Sequence, residues 1–299
     1  MVNVVNYSEL VRVAIVQTRL NAESSWKSGP PIAKDDERRA VAELRSAFRT
    51  LSALPESERP QFILIPELSV PRGFASALRK LACGISAVVI AGLDYKFVQS
   101  GNEPKRVRNE ALIIVPKEWQ SKRFRKGTNE YSVSKMYAAP RELCLLMQHS
   151  IAFEGSTVFW MIEAGKFGRI GICICYDFMD VERFVLYRGS IQHLFVVAYN
   201  KDTETFLNLA HTLSKTLFCN VVVCNTGRYG GSVAVTPKHH RPLRLLYQHG
   251  GNNLSANQVV ALPVKELISA QMAIPNCNPL STGAFRPAPP GFQPFNRNK

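Results

Sequence analysis

Residues 168–178 read GRIGICICYDF, a run of apolar and β-branched residues that turns polar at Asp177. Such a run predicts a buried strand that ends in a turn, and a helical pattern follows at 181–187. Further strand-like runs lie at 11–17, 62–65, 87–91, 110–115, 131–137, 193–199 and 220–224, with a hairpin partner at 159–162. Apolar residues at helical spacing recur at 36–54, 73–82 and 205–218, whereas the polar segment 18–36, with Gly29, Pro30 and Pro31, predicts a loop. This alternation predicts an α/β fold in which helices cover the sheets.

The composition limits the class of protein. Of 299 residues, 46% are hydrophobic, so the chain is neither disordered nor collagen-like. No stretch reaches the roughly 18 consecutive apolar residues of a membrane span, and Glu9 and Arg12 interrupt the apolar N-terminus. We therefore expect a cytoplasmic protein with no membrane partner. The seven cysteines form no CxxC pair and the six histidines no HExxH motif, so we predict no metal site and no cofactor.

Cys175 stands where the apolar strand ends and the chain turns. A cysteine at such a turn can be exposed at the sheet edge beside backbone N–H groups, which suits nucleophilic catalysis. Cys173, two residues earlier, is predicted to be an ordinary buried thiol. We expect Cys175 to be the most reactive thiol, because a neighbouring lysine would favour its thiolate form.

Two charged residues are further candidates. Glu67 directly follows the strand FILI (62–65) and Pro66, at the strand end where open α/β folds place their sites. Partial burial would raise its pKa toward the range of a general base. In YSVSKMY (131–137), alternation places Lys135 on the face of Val133 and Tyr137, and an inward lysine can stabilise a developing oxyanion.

These motifs, taken in order, resemble the nitrilase superfamily of carbon–nitrogen hydrolases. The Glu block is followed by Tyr-x-x-x-Lys and then by Gly-x-x-x-Cys-Tyr-Asp, the most specific of the three. VRVAIVQ (11–17) resembles the opening strand of the family, and AGLDY (91–95) the strand after the Glu helix. NEALIIV (109–115), FEGS (153–156) and VVVCNTGRYGGSVAVTP (221–237) also resemble family segments. The resemblance covers residues 8–265, loosely outside the motifs.

The resemblance implies a four-layer α-β-β-α sandwich of the nitrilase type and a catalytic triad of Glu67, Lys135 and Cys175. Residues 1–270 would form the carbon–nitrogen hydrolase domain and 271–299 a proline-rich C-terminal tail. Glu142 corresponds to a supporting glutamate of the family. The implied reaction is hydrolysis of a non-peptide carbon–nitrogen bond through a thioester on Cys175.

Three more residues are assigned to the oxyanion hole or to substrate binding: Tyr176, through its backbone N–H, Tyr137 and Asn200. The substrate is expected to be a small-molecule amide or nitrile. Phe178-Met179-Asp180 stands where the family often has Phe-Pro-Glu after Cys-Tyr-Asp, so the sequence leaves amide, carbamoyl and nitrile substrates open.

A binding or assembly module is the alternative function. PELSVP (66–71) and AGLDY resemble nitrilase-like domains joined to reverse transcriptases in bacterial defence systems. The chain has 37 Lys and Arg against 23 Asp and Glu, a net charge of +14. Residues 104–126 are strongly basic, and 228–244 add further basic residues, so either could recruit an acidic or nucleic-acid partner. An intact triad favours the hydrolase.

Self-association is also expected from the sequence. Nitrilase-type sandwiches pack into dimers or larger assemblies, and the tail carries six prolines with apolar anchors at Phe285, Phe292 and Phe295. A proline-rich segment loses little entropy when it docks, so it suits reaching across a subunit boundary. We therefore predict a homo-oligomer of at least two copies.

Overall fold

The computed structural model describes residues 6–98, 105–119, 127–273 and 284–294. Two six-stranded sheets face each other, with strand orders β15-β1-β2-β3-β6-β7 and β14-β13-β12-β11-β10-β9. A small sheet, β4-β5-β8, lies apart from them. The strands are β1 Leu10–Gln17, β2 Phe62–Val70, β3 Val88–Leu93, β4 Lys96–Val98, β5 Arg106–Arg108, β6 Glu110–Pro116, β7 Thr128–Ser134, β8 Ala152–Phe153, β9 Met161–Glu163, β10 Arg169–Ile174, β11 His193–Ala198, β12 Asn220–Asn225, β13 Val233–Val235, β14 Leu245–Gln248 and β15 Ala256–Pro263.

Helices cover the outer face of each sheet. α2 and α3 pack on the first sheet, while α5 and α6 pack on the second. The helices of the described residues are α1 Ala22–Ser25, α2 Lys34–Ser52, α3 Ala75–Ile85, α4 Pro140–Gln148, α5 Val181–Tyr187, α6 Thr203–Thr216 and α7 Lys265–Met272. The predicted four-layer α-β-β-α sandwich is confirmed. None of these helices is both long and apolar enough to cross a membrane.

Successive side chains of the central strands point to opposite faces of each sheet, and this alternation produces the layers. In β2, Phe62 and Leu64 enter the core between the sheets, whereas Ile63 and Ile65 face α2 and α3. Phe62 contacts Phe195 of β11, with ring centroids 5.6 Å apart, and so joins the sheets. Because the strands are buried on both faces, they appear in the sequence as continuous apolar runs.

Three regions differ from the sequence predictions. β7 ends at Ser134, so Lys135 follows the strand instead of lying within it. The polar segment 18–36, predicted as a loop, contains α1 and buries Trp26. The tail is docked on its own chain: Phe285 is buried, and Phe292 contacts Phe218 with ring centroids 5.5 Å apart.

The predicted domain boundary after residue 270 falls inside α7. Phe295, the third predicted tail anchor, lies outside the described residues.

Candidate active site

Two members of the predicted triad lie just beyond a strand end, and the third lies within a strand. The sequence predicts that Glu67 follows its strand, but β2 continues to Val70, and Glu67 lies where the pairing of β2 with β3 shifts register. Lys135 follows β7, and Cys175 directly follows β10. Cys175 has a φ of 45°, a left-handed conformation that is strained for a non-glycine residue and turns its side chain out of the strand. Gly92 of β3 lies against Glu67, since a Cβ there would stand 2.3 Å from the Glu67 Cα.

A buried lysine joins the two glutamates. Lys135 Nζ lies 2.8 Å from Glu67 Oε1 and 2.6 Å from Glu142 Oε2, and the lysine side chain is 1% exposed. A buried charge requires close partners with good geometry, and Lys135 has two. The structure thus brings together Glu67, Lys135 and Glu142 in one network.

Sequence reasoning missed two members of this network. Asn109 Nδ2 donates to Glu67 Oε1 at 2.8 Å and to Glu142 Oε1 at 2.9 Å. Tyr95 donates its hydroxyl to Glu142 Oε1 at 2.7 Å. Asn109 could have been found from the pairing of β6 with β7. Lys135 N donates to Asn109 O at 2.8 Å, so this pairing places the two residues side by side.

Charge pairing decides the protonation of the network. Burial alone would lower the pKa of Lys135, but the Glu142 and Glu67 carboxylates outweigh it and hold that pKa well above its usual range. Burial raises the pKa of Glu67, although Lys135 opposes the shift. The pKa of Glu142 is lowered, because Lys135 and the hydrogen bonds from Asn109 and Tyr95 overcome the effect of burial. Lys135 therefore stays cationic, and Glu67 is the more basic carboxylate.

Cys175 is buried against this network. Its thiol lies near the Glu67 carboxylate, whose charge acts on it, and is 3.8 Å from the Tyr199 carbonyl oxygen. Burial and the Glu67 charge raise the thiol pKa well above its usual range, against the smaller effect of Lys135. The sequence-based expectation of a favoured thiolate is therefore wrong, and the thiol requires a base. Glu67 is positioned to be that base.

A buried ion pair fixes the loops that carry Lys135 and Cys175. Asp177 accepts from the backbone N–H groups of Met136 and Tyr137, at 3.1 and 3.0 Å, and from Arg183 Nη2 at 3.2 Å. Arg183 also donates to the Ile172 carbonyl of β10. The Asp177 of the Cys-Tyr-Asp motif thus ties the turn after β10 to the segment after β7.

A cavity of about 810 Å³ opens onto the triad. Tyr176 and Asn200 line it, and Asn200 is held by Asn225, whose Oδ1 accepts from Asn200 N at 2.8 Å. Tyr137 is not among the lining residues and is 45% exposed, and Asp177 accepts only its backbone N–H. The remaining wall includes residues that sequence reasoning did not select: Asn21, Glu23, Trp26, Lys27, Arg141, Leu145, Met179, Lys201, Asp202, Thr205, Phe206 and Tyr229.

The basic stretch 104–126 lies partly outside the described residues. Of its cations, Lys122, Arg123, Arg125 and Lys126 fall in the range 120–126, which the structure does not describe. Arg106 and Arg108 both form ion pairs with Glu154. The described part of this stretch is thus partly neutralised by its own chain.

Solved structures of several proteins are similar to the fold of this chain. XC1258 of Xanthomonas campestris, a CN-hydrolase superfamily protein with an arsenic adduct in its active site, is 12% identical, and the match covers 88% of this chain and 94% of that one, with a TM-score of 0.61. Nit3 of Saccharomyces cerevisiae, a member of branch 10 of the nitrilase superfamily, is 15% identical, covering 92% and 98%, with a TM-score of 0.59. A mutant of an amidase from Nesterenkonia sp. AN1, with the acetamide moiety of fluoroacetamide on its active-site cysteine, is 16% identical, covering 85% and 90%, with a TM-score of 0.55.

No family model and no curated protein sequence matches the chain. The fold is that of the nitrilase superfamily, as the motifs predicted.

Proposed function

We propose that the protein is a thiol hydrolase that cleaves a non-peptide carbon–nitrogen bond in a small molecule. The observation that carries the proposal is the convergence of Cys175, Glu67 and Lys135 in one buried network at the floor of a cavity. These groups supply a nucleophile, a base within reach of its proton, and a fixed positive charge.

The first half of the reaction forms a thioester. As Cys175 Sγ attacks the carbonyl carbon of an amide, its proton passes to Glu67 and the carbonyl oxygen becomes an oxyanion. The Lys135 ammonium and the backbone N–H of Tyr176 stabilise that oxyanion. The carbon–nitrogen bond then breaks, and Glu67 returns the proton to the departing nitrogen, which leaves as ammonia or an amine.

The second half restores the enzyme with the same groups. Glu67, again a carboxylate, takes a proton from water while the water oxygen attacks the thioester carbon. The tetrahedral intermediate collapses, the carbon–sulfur bond breaks, and the thiol regains its proton from Glu67. Glu142, with its lowered pKa, stays ionised and holds Lys135 in place.

The cavity supports a small substrate with an apolar part. Its volume of about 810 Å³ falls in the range of small-molecule sites, roughly 300–1,000 Å³. Its wall carries the rings of Trp26, Tyr95 and Phe206, and α1 from the segment 18–36 contributes to its edge. Charged residues of both signs line it as well, among them Glu23 and Arg141, which form an ion pair at 2.9 Å.

Fluoroacetamide provides a direct test. We expect peptide mapping to find the acetamide moiety on Cys175 and ammonia to be released from a set of small amides and nitriles. Cys144, an exposed cysteine, is the internal control for simple exposure. Labelling of Cys144 alone, together with no ammonia from any compound, would contradict the proposal.

We also propose that the protein self-associates through α5. Val181, Val185 and Leu186 of this helix are 73%, 69% and 57% exposed. Burying such an apolar face stabilises an interface, despite the repulsion of two chains that each carry +14. Light scattering at physiological salt should give at least a dimer, and Val185→Lys with Leu186→Lys should give a monomer. A monomer for the unmodified protein would contradict this proposal.

A further inference from the structure

Five basic side chains from three segments of the chain meet near the C-terminal end of α6. His211 and Lys215 lie on α6, Arg241 and Arg244 lie between β13 and β14, and Arg286 lies on the tail. We call these residues the basic cluster. Backbone contacts bring the tail to the loop, because Phe285 forms a β-bridge with Lys238 and Arg286 N donates to Pro237 O at 3.2 Å.

The cations of this cluster act mainly on one another. Burial lowers the pKa of Lys215, and Arg286, Arg244 and Arg241 lower it further. Burial, Arg286 and Arg241 lower the pKa of Arg244 in the same way. Within the described ranges, Lys215 and these three arginines form no ion pair, whereas the neighbouring Lys238 pairs with Glu266 at 3.7 Å.

Arg286 has an unpaired donor atom, and Arg244 is held in a fixed orientation. The Nε atom of Arg286 is buried without a hydrogen-bond partner. Arg244 donates Nε and Nη2 to the carbonyl oxygens of Lys238 and His239, at 2.9 and 2.6 Å, and these two bonds hold its guanidinium in a fixed orientation. Orienting a guanidinium in advance lowers the entropy that binding would otherwise cost.

The cluster is separate from the candidate active site. Thr205, in the first turn of α6, lines the cavity, whereas Lys215 lies at the other end of that helix. At about 1.5 Å per residue, the two positions are about 15 Å apart along the helix axis. A ligand at the cluster therefore does not occupy the cavity.

We propose that the basic cluster binds the phosphate backbone of a nucleic acid. Neighbouring cations without carboxylate partners are the sequence-independent element of such sites, because binding releases counterions from the phosphates. Lys215 and Arg241 are exposed, and the cations come from three segments, which suits the repeated phosphates of a strand better than one small anion. The rings of His239 and His240 and the side chain of Leu243 are exposed beside them, where bases could stack.

Fluorescence anisotropy with a labelled oligonucleotide, single-stranded or duplex, tests the proposal. The variant Lys215→Glu/Arg241→Glu reverses two exposed charges, and Arg49→Glu/Lys80→Glu, exposed on α2 and α3, is the matched control with the same change in net charge. We expect the cluster variant to bind at least about tenfold more weakly. Its plot of log binding constant against log salt concentration should also be flatter, by about one unit of slope for each phosphate that is no longer bound. The control should stay within about threefold, since long-range charge is screened.

Three results of the binding experiment would overturn the proposal. The first is no binding of either oligonucleotide by the unmodified protein at low salt, and the second is an equal loss of affinity in both variants. The third is binding of polyglutamate in place of nucleic acid, which would assign the cluster to an acidic protein. Circular dichroism of both variants confirms that they are folded before binding is measured.

His211 supplies a second readout that a general loss of charge does not reproduce. Burial, Lys215 and Arg244 lower its pKa, so phosphates bound at the cluster should raise it. A proton NMR titration with and without the oligonucleotide should show this rise, and an unchanged His211 pKa under saturating oligonucleotide would also overturn the proposal. Because the site lies apart from Cys175, a Cys175→Ala variant should bind the oligonucleotide as the unmodified protein does.

Discussion

Lys135 and Lys215 lie in opposite electrostatic surroundings. Lys135 is 1% exposed and contacts two carboxylates, and its pKa is well above the usual lysine range. Lys215 is exposed, its nearest charges are arginines, and its pKa is lowered. In the interior an unpaired charge would be too costly, so each charge there has fixed partners and the geometry of the site is set in advance. At the surface water screens like charges, so unpaired cations can be kept for a ligand.

The buried site should depend on its nucleophile most of all. We expect Cys175→Ala to lower kcat by about 10³–10⁶, because the triad acts as one unit and no other group can form the thioester. Cys173→Ala, in the adjoining strand, is the matched control, since that thiol is buried and does not line the cavity. A Cys175→Ala enzyme with activity near that of the unmodified protein would remove the catalytic assignment.

Losing the base should have the next largest effect. Glu67→Gln keeps the shape of the side chain but cannot take the thiol proton, so kcat should fall by about 10²–10⁴. Asp202→Asn changes a carboxylate on the same cavity wall and should change kcat by less than about tenfold. In the unmodified enzyme, activity should fall as pH drops through the raised pKa of Glu67, above the ordinary value of 4.5. Similar kcat values for the two variants would show that Glu67 is not the base.

Removing the buried cation should cost stability. Lys135→Met leaves Glu67 and Glu142 facing each other without a counter-charge, so the free energy of unfolding should fall by about 3–5 kcal/mol. Urea denaturation measures this loss. Adding Glu142→Gln to Lys135→Met should recover part of it, because one of the two repelling carboxylates is then neutral. A Lys135→Met protein as stable as the unmodified one would contradict the proposed difference between buried Lys135 and exposed Lys215.

His193 extends the contrast to a buried group that stays neutral. Burial lowers its pKa from 6.5 to about 4, while its Nε2 bonds the Phe167 carbonyl oxygen at 2.9 Å. As pH falls below 6.5, His193 takes up a proton in the unfolded chain before it does so in the folded one. The stability that neutral His193 contributes is therefore complete above pH 6.5 and is lost as pH falls toward 4. At about 1.4 kcal/mol per pKa unit, the loss is about 3 kcal/mol. His193→Gln should remove this part of the pH dependence and exposed His240→Gln should not, as thermal unfolding between about pH 4 and 7 would show.

The smallest effect is expected at the surface. Lys215→Met should change the free energy of unfolding by less than about 0.5 kcal/mol, and in the stabilising direction, because it relieves repulsion from Arg286, Arg244 and Arg241. Urea denaturation at low salt is the measurement, with Lys80→Met as the control. A loss comparable to that of Lys135→Met would mean that Lys215 has a structural partner.

The layers and the triad could be predicted from the sequence because both follow from local patterns. Continuous apolar runs identify strands buried on both faces. Lys135 and Cys175 each follow a strand end, and Glu67 lies in the same strand as the apolar run that precedes it. Asn109 and Tyr95 could not be predicted in the same way. They reach the site through strand pairing and packing across the sheet, which join residues distant in sequence.

Two other properties depend on tertiary contacts. The direction of the Cys175 pKa shift is set by its burial and by Glu67, neither of which the strand pattern reveals. The sequence predicts a proline-rich tail suited to reaching across a subunit boundary, whereas Phe285 and Arg286 dock on the loop before β14 of the same chain and complete the basic cluster. Proline content predicts the lack of helix in that segment but not the surface on which it packs.

The acyl-enzyme is the most direct test of the central claim that Cys175, Glu67 and Lys135 form one hydrolytic unit. The protein is mixed with a set of small amides, quenched rapidly in acid, digested, and mapped by mass spectrometry. We predict an acyl group on Cys175 that hydroxylamine removes, as expected of a thioester, and that is absent from Cys175→Ala. An unmodified Cys175 with every amide, or acylation confined to Cys144, would contradict the account.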